Sequence, residues 1–128
     1  MVFRFSAVPA AVLIAGIFAG PALAAPVEEL GYNRGSLGVS AILSADFGTA
    51  EAQLNNHGNG VKASDPLRLI NLGNVYAGTG RLFDAQNLYM SVLRQPAVEV
   101  TTADGAITDT HEVAQMALRR VQVVAAAR

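Results

Sequence analysis

The sequence predicts a small, mainly helical protein made of helix hairpins, a short β-hairpin and a C-terminal helix. In residues 66–94, apolar side chains recur at helical intervals on both sides of a Gly-Thr-Gly breaker, which predicts two antiparallel helices. Residues 98–108 carry β-branched side chains around an Ala-Asp-Gly turn, which predicts the β-hairpin. With 128 residues, 52% of them hydrophobic and 15% charged, the chain has the size and composition of one globular domain.

The first 24 residues have the pattern of a signal peptide. Arg4 supplies a positive charge, residues 7–19 are uncharged and mostly apolar, and residues 22–24 read Ala-Leu-Ala, with small residues where a signal peptidase cleaves. The alternative is a retained membrane anchor, but the apolar run is shorter than the ~20 residues of a spanning helix and prolines flank and interrupt it. We therefore predict a periplasmic or secreted protein beginning at Ala25 or Pro26, with no stable membrane span after cleavage.

Residues 25–36 are predicted to form an irregular lead-in to the first helix. Gly31, Asn33 and Gly35 disfavour a regular helix there. The two acidic residues of this segment, Glu28 and Glu29, are expected to be solvated.

The strongest pattern in the chain is Leu69-x2-Leu72-Gly73-x2-Tyr76, followed by Gly80, Ala85-x3-Tyr89 and Pro96. It resembles one tetratricopeptide repeat (TPR), a helix hairpin of about 34 residues, with Leu69 where the usual pattern has Trp. The resemblance covers roughly residues 66–100. It implies that one set of residues builds the hairpin: Leu72, Gly73, Tyr76, Gly80, Ala85, Tyr89 and Pro96.

Physical reasons support this hairpin. Asp65 can cap the first helix, and Pro66 suits its first position, where no amide donor is needed. Gly73 and Ala85 are small where the two helices are expected to cross. Pro96 cannot continue the second helix.

A weaker copy of the same pattern lies 35 residues earlier. The shift places Leu37 and Gly38 on the Leu-Gly pair of the strong repeat and Ala50 on Ala85. We therefore predict about two TPR-like repeats in residues 37–96, and two unrelated amphipathic hairpins are the alternative.

Residues 97–128 are predicted to form the β-ribbon and a capping helix. Asp109-x2-Glu112 resembles a capping box at the start of that helix. Its apolar stripe is expected to cover the open end of the last hairpin, because the terminal unit of a stack needs a polar outer face. The stripe consists of Val113, Met116, Ala117, Val121 and Val124.

The resemblance also implies a binding site. In TPR proteins the first helix of each unit lines a concave groove, and an Asn on that helix often holds the backbone or carboxylate of a bound peptide. The corresponding groove residues here are Leu67, Ile70, Asn71 and Asn74, and the resemblance assigns the role of that Asn to Asn74, with Asn71 as the alternative. The family's carboxylate clamp uses several basic residues, but only Arg68 is close. The alternative is that both Asn side chains are solvated or satisfy a loop.

Other functional classes find little support in the sequence. The chain has no cysteine, its net charge of -1 offers no basic face for nucleic acid, and neither histidine has a neighbour at metal-ligand spacing. No phosphate loop, nucleophile elbow or zinc-protease motif is present, so we predict no catalytic residues, no metal and no cofactor.

The sequence thus favours a non-enzymatic protein-interaction module, an adaptor or assembly factor of the periplasm or cell envelope, whose partner is a protein or peptide. The alternative is a small secreted enzyme or ligand-binding domain that uses the repeat as a scaffold. Because two repeats are fewer than a stable stack usually needs, self-association is a further possibility.

Overall fold

The computed structural model describes residues 25–128 and is mainly helical, as predicted. The expected signal peptide, residues 1–24, lies outside the described residues. The helices are α1 (Val39–Leu43), α2 (Phe47–Leu54), α3 (Pro66–Gly78), α4 (Leu82–Leu93) and α5 (Thr110–Ala126), and the strands are β1 (Glu99–Thr101) and β2 (Ile107–Asp109). A 3-10 turn at His57–Asn59 lies between α2 and α3.

The α3–α4 hairpin agrees with the prediction at both ends. The Asp65 carboxylate accepts hydrogen bonds from the amides of Leu67 (2.9 Å) and Arg68 (3.5 Å), and Pro66 is the first residue of α3. After α3 the chain reverses through Gly80, whose φ of 80° lies in the left-handed region that glycine tolerates best. The local capping chemistry thus sets where α3 begins and ends.

Gly73 lies at the crossing of α3 and α4, against the ring of Tyr89. An ideal Cβ on Gly73 would be only 2.5 Å from Cε1 of that ring. Ala85 and Tyr89 are buried, as expected for this interface, whereas Pro96 is exposed beyond the end of α4. A residue larger than glycine at position 73 would therefore push the two helices apart.

The turn between α1 and α2 has the same geometry as the turn between α3 and α4, 35 residues later. In each turn the residue that precedes the second helix donates its N–H to the carbonyl five positions earlier, over 2.8 Å. These bonds join Asp46 to Ala41 and Arg81 to Tyr76. The residue just before each donor, Ala45 or Gly80, has a positive φ of 57° or 80°.

Helix α1 is shorter than α3, with 5 residues against 13. Gly35 and Gly38 both have positive φ, 82° and 66°, so the backbone cannot continue the right-handed helix before Val39. The first hairpin therefore keeps the turn and second helix of the stronger one but only a short part of its first helix.

The C-terminal part forms the predicted ribbon and helix. β1 and β2 pair antiparallel, with Val100 opposite Thr108, and Gly105 (φ 86°) lies in the turn between them. Asp109 caps α5 by accepting from the Glu112 amide (2.9 Å), while the Glu112 carboxylate bonds the Thr108 hydroxyl instead of closing the capping box. α5 packs mainly on α4 and also contacts α3.

Part of the lead-in is bound to the rest of the fold, which corrects the expectation that Glu29 is solvated. Val27 is fully buried and pairs with Thr102 in an antiparallel bridge. Glu29, expected in solvent, accepts hydrogen bonds from the amides of Gly35 (2.8 Å) and Leu37 (3.1 Å). The segment was misjudged because its partners are distant in sequence.

Candidate functional site

The four residues predicted to line an open groove are instead buried. Leu67 is 8% exposed, and Ile70, Asn71 and Asn74 are 0% exposed. The face of α3 that carries them packs against other parts of the chain, so the expectation of an accessible concave surface here was wrong. The structure does bring these residues together, but in the protein interior.

The side chain of Asn71 pairs with the main chain of the lead-in. Its Oδ1 accepts from the Val27 N–H at 2.8 Å, and its Nδ2 donates to the Val27 carbonyl at 3.1 Å. The same Nδ2 donates to the Leu37 carbonyl at 2.9 Å. Asn71 therefore makes the contact expected for a peptide backbone, but the backbone belongs to its own chain.

Residues 26–28 can bond two neighbours at once because backbone N–H and C=O groups alternate in direction along an extended strand. On one side, the Glu28 N–H donates to the Thr101 carbonyl (2.9 Å) and the Ala103 N–H donates to the Pro26 carbonyl (2.8 Å). The N–H and C=O of Val27 point to the opposite side, where both form hydrogen bonds with the Asn71 carboxamide. Residues 26–28 thus extend along the end of β1 through the single bridge between Val27 and Thr102. We call this short segment the third strand, and the Asn71 carboxamide takes the place of a strand on its other side.

We call this place the backbone slot: the space between Asn71 and the edge formed by Thr101 and Ala103, filled by residues 26–28. All the hydrogen bonds described above involve main-chain atoms of the occupant. Two side chains of the occupant are buried, those of Pro26 and Val27. The slot can therefore recognise an extended segment by its main chain and by two apolar side chains.

Asn74 serves the α3–α4 crossing. The Tyr89 hydroxyl donates to Asn74 Oδ1 over 2.7 Å, and both residues are almost completely buried. Burial raises the pKa of Tyr89 well above its ordinary value, so the phenol stays protonated and remains a donor. The side chain that was expected to contact a partner thus helps to hold the hairpin together.

Arg68, the one cation near the predicted groove, is used within the fold. Its guanidinium donates to the Leu54 carbonyl (2.8 Å), the Ala63 carbonyl (3.0 Å) and Asn55 Oδ1 (2.9 Å). The side chain is 9% exposed and ties the loop between α2 and α3 to both helices. It is therefore not placed to bind a peptide carboxylate.

A second contact fastens the lead-in to α3. The Tyr32 hydroxyl donates to Asp65 Oδ2 at 2.9 Å, while the other oxygen of this carboxylate caps the helix. Burial, the hydrogen bond to Asp65 and the negative charge of Asp65 raise the pKa of Tyr32 to about 12. Sequence reasoning missed Val27, Glu29 and Tyr32, and the only local signal was an apolar valine between Pro26 and Glu28.

Small clefts lie on the surface of residues 25–128. A cleft of about 240 Å³ lies between the β-hairpin and α5, and a second of about 250 Å³ lies along α5 at Arg119 and Val123. Both are below the ~300–1,000 Å³ of typical small-molecule sites. Among residues 25–128, no group of three or more histidine or acidic side chains is placed to hold a metal ion.

Comparisons of the chain with protein-family models, with curated proteins and with solved structures found no match. In the part of the chain that the structure describes, no helix has the length and apolar character needed to cross a membrane. A functional assignment therefore depends on the geometry of the backbone slot.

Proposed function

We propose that this protein is a non-enzymatic protein-interaction module, exported to the periplasm, that binds an extended segment of a partner protein. The hairpins are proposed to be two TPR-like units, the first with a shortened initial helix. The equivalent turns at a spacing of 35 residues and the glycine at the α3–α4 crossing support this assignment.

The observation that carries the proposal is the pairing of the Asn71 carboxamide with both polar groups of one main-chain residue, Val27. A buried carboxamide is unfavourable unless its polar atoms are paired, and here they pair with an extended backbone. The site is thus suited to a polypeptide rather than to a metabolite. Arg68, the buried charge beside this site, donates to two main-chain carbonyls and to Asn55 Oδ1, so it holds the loop between α2 and α3.

Site-specific photo-cross-linking in cells tests the proposal. A benzophenone amino acid is placed at Ala103, which is half-buried on the edge that faces the slot, and in a matched control at Asn87, which is exposed on α4. We expect a discrete adduct with another protein from position 103 and none from position 87. Adducts from position 87 alone would remove the slot from the binding surface, and no specific adduct from either position would refute the proposed function.

N-terminal sequencing of the protein recovered from the periplasm tests the export part of the proposal. We expect a chain that begins at Ala25 or Pro26. A chain that retains Met1 and stays in the cytoplasm would refute it.

A further inference from the structure

The backbone slot is one strand wide, and the main chain of the segment that fills it is hydrogen-bonded on both sides. Thr101, the last residue of β1, bonds Glu28, Ala103 just beyond it bonds Pro26, and Asn71 bonds Val27. Any extended segment that runs antiparallel to this edge offers the same main-chain groups at the same spacing. The buried positions of Pro26 and Val27 add a requirement for two apolar side chains, and a β-branched residue at the second suits an extended backbone.

The segment that fills the slot is joined to the helices by a loop. Residues 29–35 contain no helix or strand, and Gly31 and Gly35 have φ of 82°. Two side-chain contacts close this loop: the Glu29 carboxylate on the amides of Gly35 and Leu37, and the Tyr32 hydroxyl on Asp65. A partner segment in the slot would supply the same N–H and C=O groups that Asn71 receives from Val27, so an exchange of segments leaves no buried carboxamide unpaired.

We propose that the backbone slot takes the partner's extended segment and that the chain's own residues 26–28 compete with it for the same place. This inference rests on the proposed function and adds its regulation. Because the competitor is tethered, its effective concentration at the slot is on the order of millimolar. The partner gains access in proportion to the fraction of molecules in which the slot is open.

A fluorescent peptide with the sequence of residues 25–31 is the first probe. Val27→Asp places a carboxylate where a buried apolar side chain sits, so the chain's own segment is expelled and the peptide takes its place. We expect the peptide to bind the Val27→Asp chain at least about tenfold more tightly than the parent chain. Adding Asn71→Ala to that variant, or introducing Val→Asp into the peptide, should abolish binding.

A reversible lock is the second probe. The chain has no cysteine, so Glu28→Cys with Thr101→Cys adds a single pair of thiols on facing residues of the third strand and β1. Such facing residues lie ~5.5 Å apart at Cα, which a disulfide spans. The oxidised chain should not bind the peptide, and reduction should restore the weak binding of the parent. Equal binding by the oxidised and reduced chains would refute the inference, and so would oxidation that yields mainly a dimer, because a second copy would then fill the slot.

Hydrogen exchange in the parent chain keeps the inference testable even if Val27→Asp does not fold. The Val27 amide, bonded to Asn71, should exchange through a local opening and therefore faster than the amides of Ile70 and Leu72 in α3. Exchange of Val27 only at the rate of these core amides would mean that the segment leaves only when the protein unfolds, and would refute the competition.

The two proposals fail in distinguishable ways. If the peptide competes for the slot but cells yield no adduct at position 103, the displaceable segment is real and the proposed function is wrong. If a partner is cross-linked equally to the oxidised and reduced cysteine variants, the interaction function stands and the competition is wrong.

Discussion

Gly73→Ala provides the sharpest test of the fold, because the structure defines what the added methyl group meets. The new Cβ would lie 2.5, 2.9 and 3.0 Å from three atoms of the Tyr89 ring. Ordinary carbon contacts are ~3.5–4.0 Å, so the ring must move by roughly 1 Å. That ring is 1% exposed and its hydroxyl bonds Asn74, so no empty space or solvent is available to receive it.

The net effect combines three contributions of known sign. Overpacking costs ~1–3 kcal/mol. Weakening the Tyr89–Asn74 hydrogen bond costs up to ~0.5–1.5 kcal/mol. Replacing glycine by alanine in a helix interior returns ~1 kcal/mol. We therefore expect Gly73→Ala to lower the free energy of unfolding by ~0.5–3.5 kcal/mol, where each kcal/mol lowers Tm by ~4–8 °C in a domain of about this size.

Urea denaturation of parent and variant measures this change, and two controls isolate its cause. Gly48→Ala, in the first turn of α2, places its Cβ with nothing within 4 Å and should leave stability unchanged or raise it by up to ~1 kcal/mol. In a Tyr89→Leu background the clash is absent, so Gly73→Ala should become neutral or stabilising there. If Gly73→Ala stabilised the parent as Gly48→Ala does, the close α3–α4 crossing would be refuted.

Three further predictions address the contacts of the lead-in and of the loop between α2 and α3. Asn71→Ala removes three buried hydrogen bonds and should lower the free energy of unfolding by ~2–4 kcal/mol. Asn87→Ala, on the exposed face of α4, is the control and should change it little. If the two variants melted at similar temperatures, the Asn71 contacts would be contradicted. The folded-state pKa of Tyr32 is raised from 10.0 to about 12, so the contribution of Tyr32 to stability is complete below pH 10.0 and falls as the pH approaches 12. The Tm difference between the parent and Tyr32→Phe should therefore shrink across that range. A difference that does not change with pH would contradict the Tyr32–Asp65 contact. Arg68→Met should expose residues 55–63 to limited proteolysis. Arg68→Lys should not restore protection, because an ammonium group cannot make the three contacts of the guanidinium. Cleavage equal to that of the parent would show that the Arg68 side chain does not hold the loop.

The parts of the fold that could be predicted from the sequence are those controlled by neighbouring residues. Asp65 and Pro66 mark the start of α3, Gly80 marks the turn after it, and Asp109 caps α5. Each acts within a few residues, through a cap or a positive φ, so its effect can be recognised without knowing the tertiary structure. The small residue at the helix crossing, Gly73, was also predictable because repeat spacing places it opposite the second helix.

The parts that could not be predicted depend on long-range contacts. The third strand has one bridged residue, Val27, with Pro26 and Glu28 on either side, so it lacks the alternation that marks a strand. Its partners lie far along the chain: Asn71 is 44 positions away, and Thr102 is farther still. The shortness of α1 was missed because it depends on the backbone conformations of Gly35 and Gly38, which the weak repeat pattern did not reveal.

The candidate site residues were predicted wrongly in their exposure, and Asn71 shows why. The resemblance to a tetratricopeptide repeat placed both asparagines of α3 on a groove-lining face. Asn71 is nevertheless fully buried, and a buried carboxamide is tolerated only when both its donor and its acceptor are satisfied. Helix backbone groups already bond one another, so a carboxamide that projects from α3 must find its partners on other elements. For Asn74 a partner is the Tyr89 hydroxyl, whereas Asn71 bonds both the N–H and the C=O of Val27. An asparagine that bonds both main-chain groups of one residue indicates an extended segment beside the helix, and it leaves open whether that segment comes from the same chain or from another. Here it comes from the same chain, which is why exchange of that strand for a partner's is the function to test.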